Sequence, residues 1–421
     1  MKQLPLFLLT LTVAYLTSCN TVVSPQTDTT GLWPAGKYFE EDNHVRYGFI
    51  NRKGEFIIEP QYGYASSFSG GYAVVYDESD KRYHYIDANG NRQNFSSEYP
   101  PDLFYYGFAK VPVESSDTRY YGFIDVNFNY ALDDASGLTS ISDHMTRDGY
   151  IWAYFGVNQN TNSTQYGYLH ADKNQIVQNA IDVEHSTYLF AADFIDGYAV
   201  TATDKGFGII NTKYEVILEY SLDNGMLQNI GYGLFAYRQA ADLNSALRIA
   251  RTPHSTPVTK IINAQGNIIA DNINYNYIEP FMEGEQLTLF CNSSDSKYGY
   301  INKSGREVIK ALYDYAENFS EGYAFIGYYS GEDYSIAMID KNGKTILNLG
   351  NEFEIISYVH NGLFLTFGYD EQLGEVYSYK DLKGNVIYSW RNEDIPLPCA
   401  PRRFSLGNGA RPVKHYALGG C

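Results

Sequence analysis

Cysteine is scarce in this sequence, and no motif of a catalytic or metal centre accompanies it. Only four cysteines occur among 421 residues, none of them in a CxxC pair, so cysteine-ligated zinc is disfavoured. The eight histidines form neither HxH nor HExxH, which leaves zinc enzymology without local support. A P-loop and a GxSxG elbow are also missing, which weakens nucleotidase and serine-hydrolase interpretations. We therefore predict no catalytic residue, no cofactor and no metal ion.

Basic residues are in short supply relative to acidic ones. The chain has 31 Lys and Arg against 49 Asp and Glu, a formal net charge of −18. An acidic surface repels phosphate backbones, so we expect no nucleic-acid partner. Attachment to anionic lipid through a basic patch is disfavoured for the same reason.

The N-terminus has the shape of an export signal. Lys2 precedes an apolar run, Leu4 to Leu16, that is too short for a comfortable transmembrane helix, and this predicts a signal peptide over residues 1–18. Leu16-Thr17-Ser18-Cys19 resembles the bacterial lipobox, which implies that Cys19 is the first mature residue and carries a lipid. An ordinary secretory signal with an incidental cysteine is the alternative. No acidic cluster follows Cys19, so the sequence does not indicate on which face of the membrane the protein is anchored.

The remaining cysteines suggest one bridge. Exported proteins meet oxidising conditions, and Cys399 and Cys421 both lie in the non-repeating tail, residues 391–421. A disulfide between them is possible and would close a loop of about twenty residues, worth a few kcal/mol. Cys291 would then be free, as a small buried hydrophobe.

Aromatic residues are abundant, and they recur in a unit. The chain has 41 Tyr and 23 Phe, which suits strands. The first marker is aromatic–Gly–aromatic–Ile–Asp/Asn with a turn glycine, as in Tyr298 to Asn302 with Gly305 and in Tyr47 to Asn51 with Gly54. We expect these glycines to have positive φ. Other units have bulky residues at the turn position, for which we expect a different turn type or length; they are Phe128, Lys173 and Tyr214.

A second marker, Phe-x-x-Gly followed by a strand, completes the unit. Its glycines lie 36 to 51 residues apart, which is the size of a four-stranded blade with variable loops. The longest insertion, Arg238 to His254, contains residues 240–247 that could form a short helix. We assign residues 19–44 to the lipid anchor, a tether and a possible closing strand, and residues 45–390 to the repeats.

These residues resemble the WG repeat, a bacterial β-repeat in which Tyr here replaces the Trp. The resemblance covers about residues 45–390 and is strongest around Tyr47 and in Tyr298 to Phe325. It implies a β-propeller-like or solenoid array and interaction more than chemistry. The predicted fold is all-β, with tandem four-stranded repeats of about 36–50 residues. A closed array is favoured and an open β-solenoid is the alternative.

The two ends of the repeat region predict that the array closes into a ring. Gly31-Leu32-Trp33 looks like a second-half strand, whereas Tyr377 to Tyr388 is an orphan first half. We expect them to complete one composite blade, which removes exposed edges.

The functional prediction is a non-catalytic binding or scaffold module of the bacterial cell envelope, displayed as a lipoprotein through Cys19. Its partner would be an unknown envelope protein or glycan. Alternatives are a propeller-borne enzyme acting on glycans and a structural envelope component. Most Tyr occupy repeat positions and are read as core, whereas the off-pattern Tyr328 and Tyr329 are the better candidates for a binding surface. A filled channel with an exposed aromatic patch would favour binding.

Overall fold

The computed structural model describes residues 28–391, except 42, 114–119, 133–139, 159–162, 173–174, 178–187, 253–254, 332 and 352. The predicted signal peptide, Cys19, and the tail with Cys399 and Cys421 lie outside these residues. Cys291 is buried and free, as predicted.

The described residues form thirty-four short strands in eight antiparallel sheets, which divide into nine repeat units that we call blades and number along the chain. Blade 1 has β1 (Trp33–Phe39), β2 (His44–Ile50) and β3 (Phe56–Tyr62). Blade 2 has β4 (Tyr64–Ala65), β5 (Ala73–Asp77), β6 (Arg82–Ile86) and β7 (Arg92–Ser97). Blade 3 has β8 (Phe108–Val113), β9 (Tyr120–Asp125) and β10 (Tyr130–Leu132). Blade 4 has β11 (Ser140–Ile141), β12 (Tyr150–Asn158), β13 (Ser163–Asp172) and β14 (Gln175–Val177). Blade 5 has β15 (Phe190–Ala191), β16 (Tyr198–Thr203), β17 (Gly206–Asn211) and β18 (Val216–Ser221).

The remaining blades follow the same order. Blade 6 has β19 (Met226–Gly231), β20 (Leu234–Arg238), β21 (Val258–Asn263) and β22 (Ile268–Ala270). Blade 7 has β23 (Tyr275–Ile278), β24 (Leu287–Asn292), β25 (Tyr298–Asn302) and β26 (Glu307–Tyr313). Blade 8 has β27 (Tyr315–Ala316), β28 (Tyr323–Ser330), β29 (Asp333–Asp340) and β30 (Thr345–Gly350). Blade 9 has β31 (Phe353–Ile355), β32 (Leu363–Asp370), β33 (Gly374–Asp381) and β34 (Val386–Arg391). A single residue pair, Val258 with Tyr275, joins blades 6 and 7 into one eight-stranded sheet.

The long insertion in blade 6 carries the one α-helix of the described residues, α1 (Leu243–Arg251), slightly later than predicted. It begins at Asp242, whose carboxylate accepts a hydrogen bond from the Ser245 amide at 2.7 Å, a typical N-cap. Ala246, Ile249 and Ala250 are buried. A single-turn 3₁₀ helix, Leu222–Asn224, links blades 5 and 6.

The turn between the third and fourth strands of a blade is held by its first residue. In blade 7 the Asn302 side chain accepts hydrogen bonds from the amides of Ser304 and Arg306 at 3.0 and 3.1 Å. Gly305 has φ +68° and Gly54 has φ +80°, so the predicted positive φ at these glycines is confirmed.

The expectation of a different turn at bulky residues is wrong for the two that the structure describes; Lys173 lies outside the described residues. Phe128 and Tyr214 both have φ +63°, in turns with the same hydrogen bonds as the glycine turns. The Phe128 ring packs on Tyr72 and Phe104, with centroids 4.9 and 5.7 Å away. The Asx-type side-chain bonds and this packing offset the cost of a left-handed backbone.

The glycine between the two aromatics has its own structural cause. A Cβ on Gly299 would lie 2.7 Å from the Ile309 carbonyl oxygen, because the fourth strand bulges past this residue and pairs with Tyr298 and Tyr300 on either side. Where the unit has a side chain instead, the bulge is elsewhere and the residue pairs normally, as Ala337 does with Asn348. The sequence marker thus reports a β-bulge.

Apolar packing runs continuously from blade to blade. Eight clusters of buried residues bridge neighbouring blades. Tyrosines on the third strands also reach the next blade: Tyr85, Tyr168 and Tyr300 donate to the carbonyls of Asp102, Ala192 and Glu317 at 2.5 to 2.6 Å. The repeated tyrosines are therefore largely core.

Blade 9 packs against blade 1 and closes the ring. Trp33, Tyr47, Leu363, Tyr379 and Trp390 share one buried cluster. The last strand of blade 9, β34, lies against β1 of blade 1. The last strand of blade 7, β26, lies in the same way against the second strand of blade 8, β28. The ends of the array therefore meet, as predicted.

The prediction of a composite blade, however, is wrong. Strand β1 pairs with β2, and β33 pairs with β32 and β34. In blade 8 the carbonyls of Phe325 and Gly327 accept from first-strand amides. In blade 1 the equivalent carbonyls accept hydroxyl hydrogen bonds from blade 9 instead: Tyr379 donates to Pro34 at 3.0 Å and Tyr388 to Gly36 at 3.1 Å. Side chains close the seam between blades 9 and 1.

Candidate binding site

The middle of the ring is bridged at one end. The turns between first and second strands lie there, and Glu283 of blade 7 accepts from the Tyr106 hydroxyl of blade 3 at 3.1 Å and pairs with Arg147 of blade 4 at 3.2 Å. Contacts between blades three and four places apart are possible only close to the ring's axis. Side chains from distant blades therefore bridge this end of the channel.

Carboxylates at these turns hold neighbouring blades together. Asp148 accepts from the Gly197 amide, Glu285 from the Gly322 amide and Glu321 from the Gly362 amide, each at 3.0 Å. These acidic residues are engaged in the architecture. They are poor candidates for acid–base chemistry.

An open cavity of about 510 Å³ lies at the same end, at the seam. Asp28, Trp33, Arg52, Glu321 and Asn361 line it. Asp28 is buried and accepts from the Thr30 amide at 2.8 Å, and its carbonyl accepts from the Asn361 side chain at 3.0 Å. The polar groups that line this cavity are therefore largely engaged in contacts that close the ring.

The opposite end carries a row of tyrosines on the hairpins between second and third strands. Tyr329 of blade 8 and Tyr369 of blade 9 are 53% and 72% exposed. They occupy equivalent register positions, opposite Tyr334 and Glu375. Tyr38, opposite Val45, is the equivalent residue of blade 1 and is partly exposed. We call Tyr329, Tyr369 and Tyr38 the tyrosine row.

The row is specific to the three blades around the seam. The equivalent positions of blades 2, 5 and 7 are Glu78, Asp204 and Ser293. Of the two predicted surface aromatics, Tyr329 belongs to the row, whereas Tyr328 is partly buried against the core of blades 7 and 8. Arg391 lies over the Tyr38 ring, 5.2 Å from its centroid.

Two carboxyls occupy equivalent positions directly after the first strands of blades 7 and 8. Glu279 and Glu317 donate their amides to the carbonyls of Leu289 and Phe325, both at 2.9 Å. Sequence reasoning missed both residues. The available signal was an acidic residue two places before the phenylalanine of the Phe-x-x-Gly marker, at Phe281 and Phe319.

Glu317 lies among phenols. The Tyr315 hydroxyl donates to its Oε1, while its Oε2 is buried without a hydrogen-bond partner. Burial raises the pKa of Glu317 to about 7, against the lowering effect of the Tyr315 hydrogen bond. Burial, Tyr329, Asp314 and Glu317 together raise the pKa of Tyr334 to about 12. The Tyr334 hydroxyl lies over Gly327, in space that a side chain there would fill.

Glu279 has a similar environment. Burial raises its pKa to about 7, with Arg238 acting in the opposite direction. Arg238 is itself fully buried and donates to the Gln228 side chain at 2.9 Å and the Thr256 carbonyl at 3.1 Å. Both carboxyls also act on Tyr358 of blade 9: burial, together with the charges of Glu317 and Glu279, raises the pKa of the Tyr358 hydroxyl.

Neither a metal centre nor a membrane helix is found in the part of the chain that the structure describes. No group of three or more His, Cys, Asp or Glu there could hold a metal ion. No helix within that part is long and apolar enough to cross a membrane.

Nine blades that pack in a closed succession define an all-β, β-propeller-like repeat protein. The family described as WG containing repeat matches residues 47–78 and 298–327, so these two stretches are similar to that repeat. The matches fall on the two regions of the strongest resemblance. A search of the curated proteins finds no significant match.

Solved structures align with the chain at low sequence identity and low TM-score. The dihydro-heme d1 dehydrogenase NirN in complex with DHE aligns at 11% identity and TM-score 0.39, over 76% of this chain and 73% of that one. The β-propeller domain of the Trilobed protease from Pyrococcus furiosus aligns at 11% identity and TM-score 0.33, over 78% and 99%. A prolyl endopeptidase aligns at 9% identity and TM-score 0.37, over 85% of this chain but 54% of its own. Similarity at this level carries nothing about activity.

Proposed function

We propose that the protein is a non-catalytic binding module of the bacterial cell envelope, attached through a lipid at Cys19, and that it binds an extended glycan along the tyrosine row. The row is the observation that carries the proposal. Three tyrosines occupy one register position of three consecutive blades, two of them, Tyr329 and Tyr369, with well-exposed rings, and exposed aromatic rings are suited to stacking on successive sugar rings. The side-chain contacts that bridge the opposite end of the channel support a surface site over a deep catalytic pocket.

The direct test measures retention of the purified protein on insoluble envelope polysaccharide. The variant Tyr329→Ala/Tyr369→Ala should lose at least tenfold in affinity, because each ring would supply on the order of 1 kcal/mol of stacking. The matched control is Tyr121→Ala/Tyr130→Ala in blade 3, where the rings are 47% and 48% exposed but lie outside the row. Equal retention of both variants and the parent would contradict the proposal.

The same samples test the enzymatic alternative, for which the raised pKa values of Glu279 and Glu317 are the specific observation. New reducing ends that appear with the parent and are lost in Glu317→Gln would establish hydrolysis instead. We expect none.

The anchor is tested separately. Cys19→Ala should abolish lipid labelling and release the protein from membranes, because a single cysteine carries the predicted attachment. Intact palmitate incorporation with unchanged membrane partitioning would disprove the lipobox interpretation.

A further inference from the structure

A basic segment follows the last blade of this acidic protein. Residues 395–421 contain no Asp or Glu, in a chain whose formal net charge is −18, and they carry four basic residues: Arg402, Arg403, Arg411 and Lys414. These residues lie outside the part of the chain that the structure describes, but the place where the chain leaves that part is defined. The polar groups of the seam cavity and the turn carboxylates, by contrast, are mostly engaged in joining blades.

The chain leaves blade 9 within the tyrosine row. Arg391, the last residue of β34, pairs with Val376, whose neighbour Glu375 pairs with Tyr369. The Arg391 guanidinium lies over the Tyr38 ring, 5.2 Å from its centroid. The segment that follows therefore begins between two members of the row, and a basic residue at this point already contacts the row.

The edge of blade 1 is poorly suited to take up the continuing chain as a strand. In other blades the fourth strand leads to the first strand of the next blade, as β26 leads to β27. In blade 1 the carbonyls of Pro34 and Gly36 already accept hydroxyls of blade 9, and proline has no amide to donate. Groups that a first strand would use are thus occupied or missing, which favours the surface of the row over strand addition.

The hairpins that carry the row are acidic. Residues 38–44, 329–334 and 369–375 contain eight Asp and Glu and no Lys or Arg. Six of these acidic residues are exposed: Glu40, Glu41, Asp333, Asp370, Glu371 and Glu375. Opposite charges within about 10 Å attract one another at ordinary salt, and arginine both stacks on aromatic faces and pairs with carboxylates. The basic segment and the row are therefore complementary in charge and in ring stacking.

We propose that residues 395–421 fold back over the tyrosine row, where Arg402 and Arg403 stack on its tyrosines and pair with carboxylates of its hairpins. Eleven residues of chain lead from Arg391 to Arg402 and span up to about 36 Å, and the row begins at Arg391 itself. The segment then competes for the surface that the proposed function assigns to a glycan. This competition rests on the proposed function, whereas the docking itself does not.

Zero-length cross-linking of the full-length protein in detergent measures the docking directly. Lys414 is the one lysine of the segment, and a carbodiimide joins its amine to a neighbouring carboxylate as an amide. We expect Lys414 to link to the hairpins 38–44, 329–334 and 369–375. The matched control is Asp204, an exposed acidic residue at the equivalent hairpin position of blade 5. A Lys414 that links to none of the three hairpins, or equally to Asp204, would overturn the inference.

Radical footprinting of tyrosine side chains gives a second readout. Arg402→Gln/Arg403→Gln keeps the length of the segment and removes two charges, so it should uncover the Tyr369 ring and raise its oxidation rate at least threefold. High salt should have the same effect on the parent, because it screens the attraction. Tyr121 of blade 3, which is 47% exposed and outside the row, should not change. Equal oxidation of Tyr369 in parent and variant would contradict the docking.

An anionic membrane is the other surface that suits a basic segment. Flotation with phosphatidylglycerol vesicles tests it in the Cys19→Ala variant, which lacks the predicted anchor. We expect no vesicle binding that depends on Arg402 and Arg403. Such binding, with unchanged oxidation of Tyr369, would assign the segment to the membrane and overturn the inference.

Retention on polysaccharide separates this inference from the proposed function. If both hold, Arg402→Gln/Arg403→Gln should bind the polysaccharide several-fold more tightly than the parent, because the competing segment is released. If neither protein is retained while Lys414 still links to the three hairpins, the glycan proposal is wrong and the docked segment stands. Equal retention of both proteins, without those links, would remove the docked segment and leave the proposed function standing.

Discussion

At the level of single residues, a left-handed backbone is not reserved for glycine in this protein. Phe128 and Tyr214 adopt it in the third-to-fourth-strand turns, and Asp196 and Glu321 adopt it in the first-to-second-strand turns. Each side chain gains something there: the rings pack between blades, and the carboxylates accept amides of the next blade. Strain at one residue is offset by a contact that only that backbone geometry permits.

Phe128→Gly should therefore destabilise the protein, by about 1–3 kcal/mol. The substitution relieves roughly 1 kcal/mol of backbone strain but removes a ring that packs on Tyr72, Tyr85 and Phe104. Chemical denaturation gives the free energy of unfolding. A variant more stable than the parent would show that the strain outweighs the packing.

The two raised carboxyls predict the pH dependence of stability. Glu279 and Glu317 have folded-state pKa values of about 7, above the ordinary 4.5. The folded protein therefore holds protons that the unfolded chain releases, and this stabilisation is full below about pH 4.5 and is lost as pH rises through 7. We expect unfolding free energy to fall by on the order of 1–2 kcal/mol per carboxyl between pH 5 and pH 8. Glu317→Gln should reduce that slope, and Asp102→Asn, at the equivalent exposed position of blade 3, should not.

At the level of the blade, the hairpin is specified by a glycine and a bulge together. Gly299 lies where the fourth strand crosses closest, and its sequence neighbours Tyr298 and Tyr300 pair across the bulge. Units without this glycine place the bulge elsewhere. Spacing alone predicted the strands and the glycine turns, because strand period and turn chemistry are local. It did not predict the bulge, since that depends on how two strands approach one another.

Gly299→Ala should cost about 2 kcal/mol or more, because the added methyl group meets backbone atoms at 2.7 Å that cannot rotate away. Ala337→Gly, at the equivalent position of blade 8, should cost less than about 1 kcal/mol, since it removes only a methyl group and adds chain flexibility. Melting temperatures of the two variants check the comparison. Similar losses in both would contradict the role of the bulge.

At the level of the whole molecule, the repeats form a ring whose ends meet through side chains. The sequence predicted the meeting of the ends from complementary half-units. It misassigned the pairing, because backbone pairing between distant segments leaves no local signature. Glu279 and Glu317 were missed for a similar reason: both look like ordinary surface residues in the sequence, and their burial depends on how the blades pack.

Deletion of residues 375–421 should destabilise every blade and not only the last. The deletion removes Tyr379, Tyr388 and Trp390 from the cluster that they share with Trp33 and Tyr47, so blade 1 loses its packing partner. Hydrogen exchange on the truncated chain is the measurement. Full protection of amides in Tyr47 to Val75, with faster exchange confined to blade 8, would show that the array is effectively open.

The seam also bears on how such a ring could change its size. Tyr379 joins blade 9 to blade 1 from the same position at which Tyr300 joins blade 7 to blade 8. Closure therefore uses a tyrosine that internal units also carry, together with Tyr388, whose hydroxyl donates to the Gly36 carbonyl at 3.1 Å. A gene that duplicates or loses one whole unit would still encode two ends with matching contacts. Copy number in this architecture is thus open to evolutionary drift, and ring diameter becomes a heritable variable.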